Sequence, residues 1–570
     1  MDSIFTHMPP TAMISFVIPV KAFICQSPMR SKSISHYLKH IADFWLTASV
    51  HFDAFRLEPR AYLTATKWWI KRKRVRARGQ FAPLLSRSPQ AYRLWVLRQE
   101  REGRGPSQPD ARHPIIALID MSGFADPGAL AATRQSLTAE GLTLLFIGSL
   151  ETPTLATAIA RIDWSTDPWL FPTCPGDRIA SGAAAVYRSV MANGQTRLIY
   201  ADDDRLVGRR RTAPYFKPDW NSELFRHNDY LTGACIVHAT RADLEAVADK
   251  ANWAAGLVAT IVELGQGFPV HLREMLHHRR HRPMPSLPAR PITIASDLPP
   301  LSVIVPTRNR VDLLCTCLDG VAAAHYPQVE VIVMDNDSDD PETLAYLAAL
   351  DPARHRVLRH SGAFNYSAIN NRAAEEARGR LLCLLNNDIE MTDPHWLAIL
   401  ATQALRPEVG AVGARLLYPD GRIQHAGVVI GVGNAAGHAH RFLHPDEEGY
   451  FYRHSLPQFT MAVTAACLVV ERKKFMAVGG LNERDFAVAF NDVDFCLRLN
   501  QQGWQSLYEP RATLIHHESV SRGLDRDPVG AARFAGELAA LKRLWQTDEI
   551  YDPYHHPQLS RASEQFAVAL

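Results

Sequence analysis

Five apolar residues, Leu381-Leu-Cys-Leu-Leu385, run straight into Asn386-Asn387-Asp388, and this junction constrains the fold more than any other stretch. A short, wholly apolar run fits a strand buried on both faces, which implies a parallel sheet covered by helices. Such a strand delivers its polar triplet to the carboxyl edge, where open α/β sheets bind ligands. Two amides and a carboxylate are hard oxygen donors suited to Mg2+ or Mn2+. Taken alone, the triplet reads more simply as a strand stopping at a polar turn.

The same punctuation recurs nearby. Leu301–Val305 runs into Pro306-Thr307-Arg308-Asn309, and Val329–Met334 runs into Asp335-Asn-Asp-Ser-Asp-Asp340. Three strand ends therefore converge polar groups from distant parts of the chain. Further on, Met461–Glu471 reads as another apolar strand, and Asn491-Asp492-Val493-Asp494 opens a helix that Gly503 can end. Asp494 can pair with Arg498 four residues on, a structural role. A strand over Ser506–Ile515 then ends in His516-His517.

At 570 residues the chain exceeds one core. It divides into a helical basic extension (1–110), a first α/β module (111–282), a linker with six prolines (283–300), a second α/β module (301–525), and a helix and tail (526–570) that pack back. In the extension, helices are expected over Ile34–Leu46 and Leu57–Ile70. The segment Lys67–Arg78 holds seven basic residues and two tryptophans, which suits an anionic membrane surface, a solvated helix face or a docking surface for another domain. A net charge of +3 and the lack of a recognition fold argue against a nucleic-acid partner. Met13–Cys25 is interrupted by Pro19 and Lys21 and is too short to span a bilayer. Eight scattered cysteines without a Cys-x-x-Cys pair suit the cytoplasm.

In the first module, strands Ile115–Ile119, Leu142–Ile147 and Arg197–Tyr200 alternate with helices Gly128–Glu140 and Ser181–Ala192. Asp202-Asp203-Asp204 after the last strand could hold a metal, or could form a surface loop paired with Arg205, Arg209, Arg210 and Arg211.

The segments Val303–Asn309, Val331–Ser338, Phe364–Asn371, Leu384–Asp388, Gln424–Val429, Thr464–Cys467, Val478–Glu483, Phe490–Asp494 and His516–Gly523 occur in an order that resembles glycosyltransferase family 2 with the GT-A fold. The resemblance implies a cytoplasmic, metal-dependent inverting enzyme that moves a sugar from a nucleotide-diphosphate sugar to a glycan acceptor, lipid-linked at the inner membrane face, in bacterial surface-polysaccharide synthesis. It places the nucleotide at Pro306, Thr307 and Asp335, with Asn386 at the donor. Mg2+ or Mn2+ falls to Asp388 and to His516, or to its neighbour His517. Asp492 takes the place of the catalytic base. Asn386 stands where the family's D-x-D motif begins, so one metal-facing charge is missing.

Tyr200–Arg205, Pro214–Trp220 and Val270–Arg280 resemble the first module of tandem family 2 proteins. There the metal motif is reduced to Asp177, and Gly148-Ser149-Leu150 replaces the acidic cluster. A degenerate first GT-A module that binds donor poorly or not at all, and serves as scaffold or acceptor-binding surface, is therefore expected. The alternatives are a bifunctional synthase with two active modules, or an inactive nucleotide-sugar-binding assembly protein.

Overall fold

The computed structural model describes residues 34–102, 113–517 apart from 192, 193, 195 and 266, and 528–570. Two mixed α/β sheets follow a helical N-terminal region, in agreement with the expected class. The stretches 1–33 and 518–527, which include the whole apolar Met13–Cys25 segment and the end of the His516–Gly523 motif, lie outside the described residues.

The second sheet runs in the order His355–Arg359, Val329–Asp335, Leu301–Thr307, Leu381–Leu385, Cys467–Glu471, Val409–Leu417, Gln505–His516, Ile389–Met391. Its first four strands are parallel. Cys467–Glu471 is antiparallel to both of its neighbours, and Gln505–His516 is parallel to Val409–Leu417. Leu301–Thr307 and Leu381–Leu385 are buried at every position. This is why Leu381–Leu385 is a continuous apolar run and why Leu301–Thr307, apart from Ser302 and Thr307, is apolar too. Pairing between them ends at Ile304 and Leu384, so the two strands part toward their carboxyl ends.

The first sheet repeats this plan: Thr143–Ile147, Ile115–Asp120, Trp169–Thr173, Cys235–Val237, Leu198–Val207, Val270–Arg279, Arg178–Ile179. Strand senses match as well. Cys235–Val237 is antiparallel to both neighbours, Leu198–Val207 is parallel to Val270–Arg279, and Arg178–Ile179 is antiparallel to that last strand.

The strand Leu198–Val207 corrects one sequence expectation. It does not end at Tyr200 but continues through Asp202, Asp203 and Asp204, all fully buried. The triplet is charge-paired, though not as a surface loop. Lys217 Nζ lies 2.8 Å from Asp203, and Arg282 also bonds it. Asp204 accepts from Tyr92 Oη at 2.6 Å and pairs with Arg211 and His278. Of the four arginines expected to pair, only Arg211 is among these partners, while Arg205, Arg209 and Arg210 are exposed. A carboxylate inside a strand is tolerable only with such partners, and they come from segments too distant for local sequence to reveal.

The two sheets are joined by direct bonds. Asn221 donates to the Phe459 carbonyl at 2.9 Å and accepts from the Phe459 N–H at 3.1 Å. Tyr215 stacks on Phe451 at 3.9 Å. The C-terminal helix spans Pro528–Trp545, and the tail beyond it packs back as expected. Leu559 and Phe566 join a buried cluster with Tyr92, Trp95, Phe216 and Val429. At the other end, the first helix reaches Leu57 rather than Leu46, and helices Pro59–Ile70, Arg74–Ser86 and Ala91–Glu102 follow.

Candidate active site

The carboxyl edge of the second sheet gathers the candidate residues. Thr307 and Asp335 lie opposite each other in adjacent strands, and Asn336 N–H donates to the Thr307 carbonyl at 2.9 Å. Pro306 sits one position earlier, opposite Met334. The Asp335 carboxylate accepts the Ser338 N–H at 2.9 Å, an acidic turn that fixes its direction. From the next strand, Asn387 donates to Thr307 Oγ1 at 3.1 Å.

Asp388 directly precedes the short strand Ile389–Met391, whose Ile389 is paired with His516. That pairing brings residues 128 positions apart into contact, with His516 Nε2 3.1 Å from Asp388 Oδ1. On its other side, His516 Nδ1 lies 2.6 Å from Gln424 Oε1. An amide oxygen only accepts, so Nδ1 carries the hydrogen. In the neutral ring Nε2 then presents a lone pair toward a carboxylate oxygen. Asp388 Oδ1 is buried and has no hydrogen-bond donor. Two acceptors facing each other at this distance require a shared cation or proton, and an imidazole nitrogen with a carboxylate fits Mn2+. Asn386 is half-buried, with Nδ2 3.4 Å from the same nitrogen. His517 turns away to Glu390 at 2.9 Å, so of the two histidines His516 is the one facing Asp388.

Asp492 stands in the first turn of helix Asn491–Gln501. Its carboxylate accepts N–H groups from Val493 at 2.8 Å and Ala465 at 3.2 Å. Ala466, the next residue, accepts the Asn386 N–H at 2.9 Å. Asp492 is thereby tied to the strand end that bears Asn386. Burial raises its pKa above the ordinary carboxylate range, although the backbone donors at Ala465 and Val493 oppose the shift. A more basic carboxylate is a better proton acceptor near neutral pH. Its neighbour Asp494 serves structure, bonded to Arg498 and to Trp545 Nε1, each at 2.9 Å.

Sequence reasoning missed the histidines beneath the site and the role of Gln424. His425 accepts the Gly427 N–H at 3.3 Å through Nε2, and its Nδ1 lies 2.8 Å from His438 Nδ1. Burial holds the His425 pKa well below its usual value, so the ring is neutral. The alternation Gln-His at 424–425 in a strand was the available signal, because it sends the two side chains to opposite faces. A cleft of about 530 Å3 lined by Leu301, Val329, Arg354 and Gly379 opens at the opposite edge of the sheet and includes none of these groups.

The equivalent edge of the first sheet is built differently. Asp177 precedes Arg178, which pairs with His278 just as Ile389 pairs with His516. His278, however, turns to Asp204. Arg280 N–H donates to Asp177 at 2.8 Å, and the Arg280 side chain lies across Gly176, where a Cβ would fall 2.1 Å from it. Burial raises the Asp177 pKa to about 6, with Arg279 pulling the other way. Opposite Asp120, in the place that Asp335 takes opposite Thr307, stands Ile147. The helix before the last long strand opens with Trp253 and Ala254, so no carboxylate matches Asp492.

Residues 302–446 match the family model Glycosyl transferase family 2. The O-antigen biosynthesis protein RfbC of Myxococcus xanthus is 35% identical over 444 residues, which are 68% of this chain and 34% of RfbC. The N-acetylglucosaminyl-diphospho-decaprenol L-rhamnosyltransferase of Mycobacterium tuberculosis is 28% identical over 230 residues, covering 37% of this chain and 73% of that protein. The chain spans about half or less of the length of its long curated relatives, 47% of one from Sinorhizobium fredii and 34% of RfbC. Among solved structures, a mannosyltransferase from Pyrobaculum calidifontis in complex with GDP-Man and Mn2+ aligns over 47% of this chain and 71% of its own, with 19% identity and a TM-score of 0.34.

Proposed function

We propose that the second sheet catalyses an inverting, metal-dependent transfer from a nucleotide-diphosphate sugar to a glycan hydroxyl in bacterial surface-polysaccharide synthesis. The carrying observation is the acceptor pair Asp388 and His516, 3.1 Å apart, at the edge that also bears Asp335 and, through Ala465, Asp492. Asp335 accepts the ring N–H of a uracil or thymine base, seated against Pro306 and Thr307. Asp388 and His516 would hold Mg2+ or Mn2+, with Asn386 beside them, and an ion held there would supply the positive charge that offsets the departing diphosphate. Asp492 removes the proton of the acceptor hydroxyl as its oxygen bonds to the anomeric carbon and the carbon–oxygen bond to the diphosphate breaks. Attack from the face opposite the leaving group inverts that carbon. A positioned base of this kind contributes about 10²- to 10⁴-fold.

The name of the mycobacterial relative, which specifies a diphospho-decaprenol acceptor, supports a lipid-linked acceptor presented at the inner face of the cytoplasmic membrane. The first sheet, whose equivalent edge is occupied by Arg279 and Arg280, acts as scaffold.

The test is to incubate the purified protein with uridine- and deoxythymidine-diphosphate sugars and Mn2+, and to follow nucleoside diphosphate release. Release that disappears in Asp388→Ala and persists in Asp177→Ala supports this reading. Release that follows Asp177 instead assigns activity to the first sheet, and silence across all donors from a folded protein favours an inactive binding protein.

A further inference from the structure

Nine of the 24 exposed large apolar side chains among the described residues fall between Leu38 and Val75. On the first helix, Leu38, Ile41, Trp45 and Phe52 are spaced by three, four and seven residues, which puts them on one side. Each is at least half exposed, with Trp45 and Phe52 at 64%. Val50 and Ala54 are buried, and Arg98 holds Asp43 at 3.0 Å, fastening the helix to Ala91–Glu102. The apolar stripe thus points away from the packed side. Solubility alone gives no reason to expose two aromatic rings and two aliphatic chains in a row.

The adjoining segment carries the complementary charge. Between Glu58 and Glu100 the chain has eleven basic residues and no acidic one. Lys67, Lys71, Arg72, Lys73, Arg74, Arg76 and Arg78 are all exposed. Arg74 lies 3.9 Å over the ring of Trp69 and Arg76 lies 4.4 Å over Trp68, so cations and indoles form one surface. Beside it, Trp69, Ile70, Phe81, Leu85 and Leu570 line a cavity of about 370 Å3. No helix among the described residues is long and apolar enough to cross a membrane. An exposed apolar helix face followed in the chain by a run of exposed cations on indole rings is the pairing that binding to an anionic bilayer interface uses.

We propose that residues 38–78 are a docking surface for an anionic lipid bilayer, the first helix inserting Trp45 and Phe52 while Lys67–Arg78 lies against the headgroups. The proposal does not depend on the transfer reaction, and its test is independent of catalysis.

The full chain is sedimented with phosphatidylcholine vesicles, with or without about 30% phosphatidylglycerol. Binding to the anionic vesicles alone, lost near 0.5 M salt, is the expected result. Replacing Arg72, Arg74 and Arg76 by Gln weakens binding by about fivefold per charge. Trp45→Ser with Phe52→Ser also weakens it, without changing the thermal melting point or donor hydrolysis in solution. Equal recovery with both vesicle types, or with neither, overturns the proposal. So does a dimer that the double Ser variant dissociates while vesicle binding persists, because a second copy of the chain would then be the partner.

Discussion

His516 Nε2 lies 3.1 Å from Asp388 Oδ1, while the opposite nitrogen of the same ring lies 2.6 Å from Gln424 Oε1. The amide oxygen selects the tautomer, and the tautomer aims a lone pair at the carboxylate. Gln424 therefore reaches Asp388 through His516.

Replacing Gln424 by Leu releases that constraint while filling similar space. Mn2+ affinity, measured by calorimetry without donor, is expected to fall about 10- to 100-fold, the usual effect of losing such a partner. Gln424→Glu, which still accepts from Nδ1, should recover most of the affinity. Asp388→Ala should abolish binding.

Asp492→Asn removes the proton acceptor with little change in shape. Transfer should fall by about 10²- to 10⁴-fold while Mn2+ binding holds. The wild-type pH profile carries a second prediction. Burial raises the Asp492 pKa, so the reactive carboxylate form is lost on acidification at a pH above the ordinary carboxylate range. The acid limb of kcat/KM should therefore sit higher than for an exposed aspartate, and the full rate should return as pH rises through it.

Asp335→Asn tests base recognition. A carboxylate there accepts the ring N–H of uracil or thymine, whereas Asn can turn its NH2 toward it. Affinity for uridine and deoxythymidine diphosphates should drop by about 1–3 kcal/mol, the range for leaving a buried polar group unpaired. Thermal shift with free nucleotides measures this without turnover.

The parts legible in sequence were those with a local cause. Leu381–Leu385 is apolar throughout because both faces are covered, and Asp494 finds Arg498 one helical turn away. What stayed hidden depends on long-range register. The choice between His516 and His517 follows from the pairing of Ile389 with His516, which no spacing encodes. Asp202–Asp204 read as a loop because three successive carboxylates rarely lie in a buried strand. Lys217, Arg279, Arg282, Tyr92 and His556, which make that possible, lie as far as 354 residues from Asp202.

That network supplies the last prediction, which concerns the tail. His556 Nε2 lies 2.9 Å from Asp202, and His271 bridges Asp202 at 3.0 Å and Asp219 at 2.9 Å. Tyr551 Oη donates to Asp219 at 2.7 Å, and the Asp219 N–H donates to the Pro553 carbonyl at 2.8 Å. Gln558 accepts from Trp95 Nε1 at 3.0 Å, and Leu559 is buried. Deleting residues 551–570 removes these partners together and bares apolar surface on both sheets and on the N-terminal helices. Asp202 and Asp219 would keep His271, but both would lose their bonds to the tail. The melting point should fall by several degrees, and hydrogen exchange should rise along Leu198–Val207 and Ala91–Glu102. Leu559→Ala alone should cost about 2–5 kcal/mol, the range for truncating a buried leucine. Unchanged exchange in both segments after the deletion would mean that the tail rests on the first sheet without holding it.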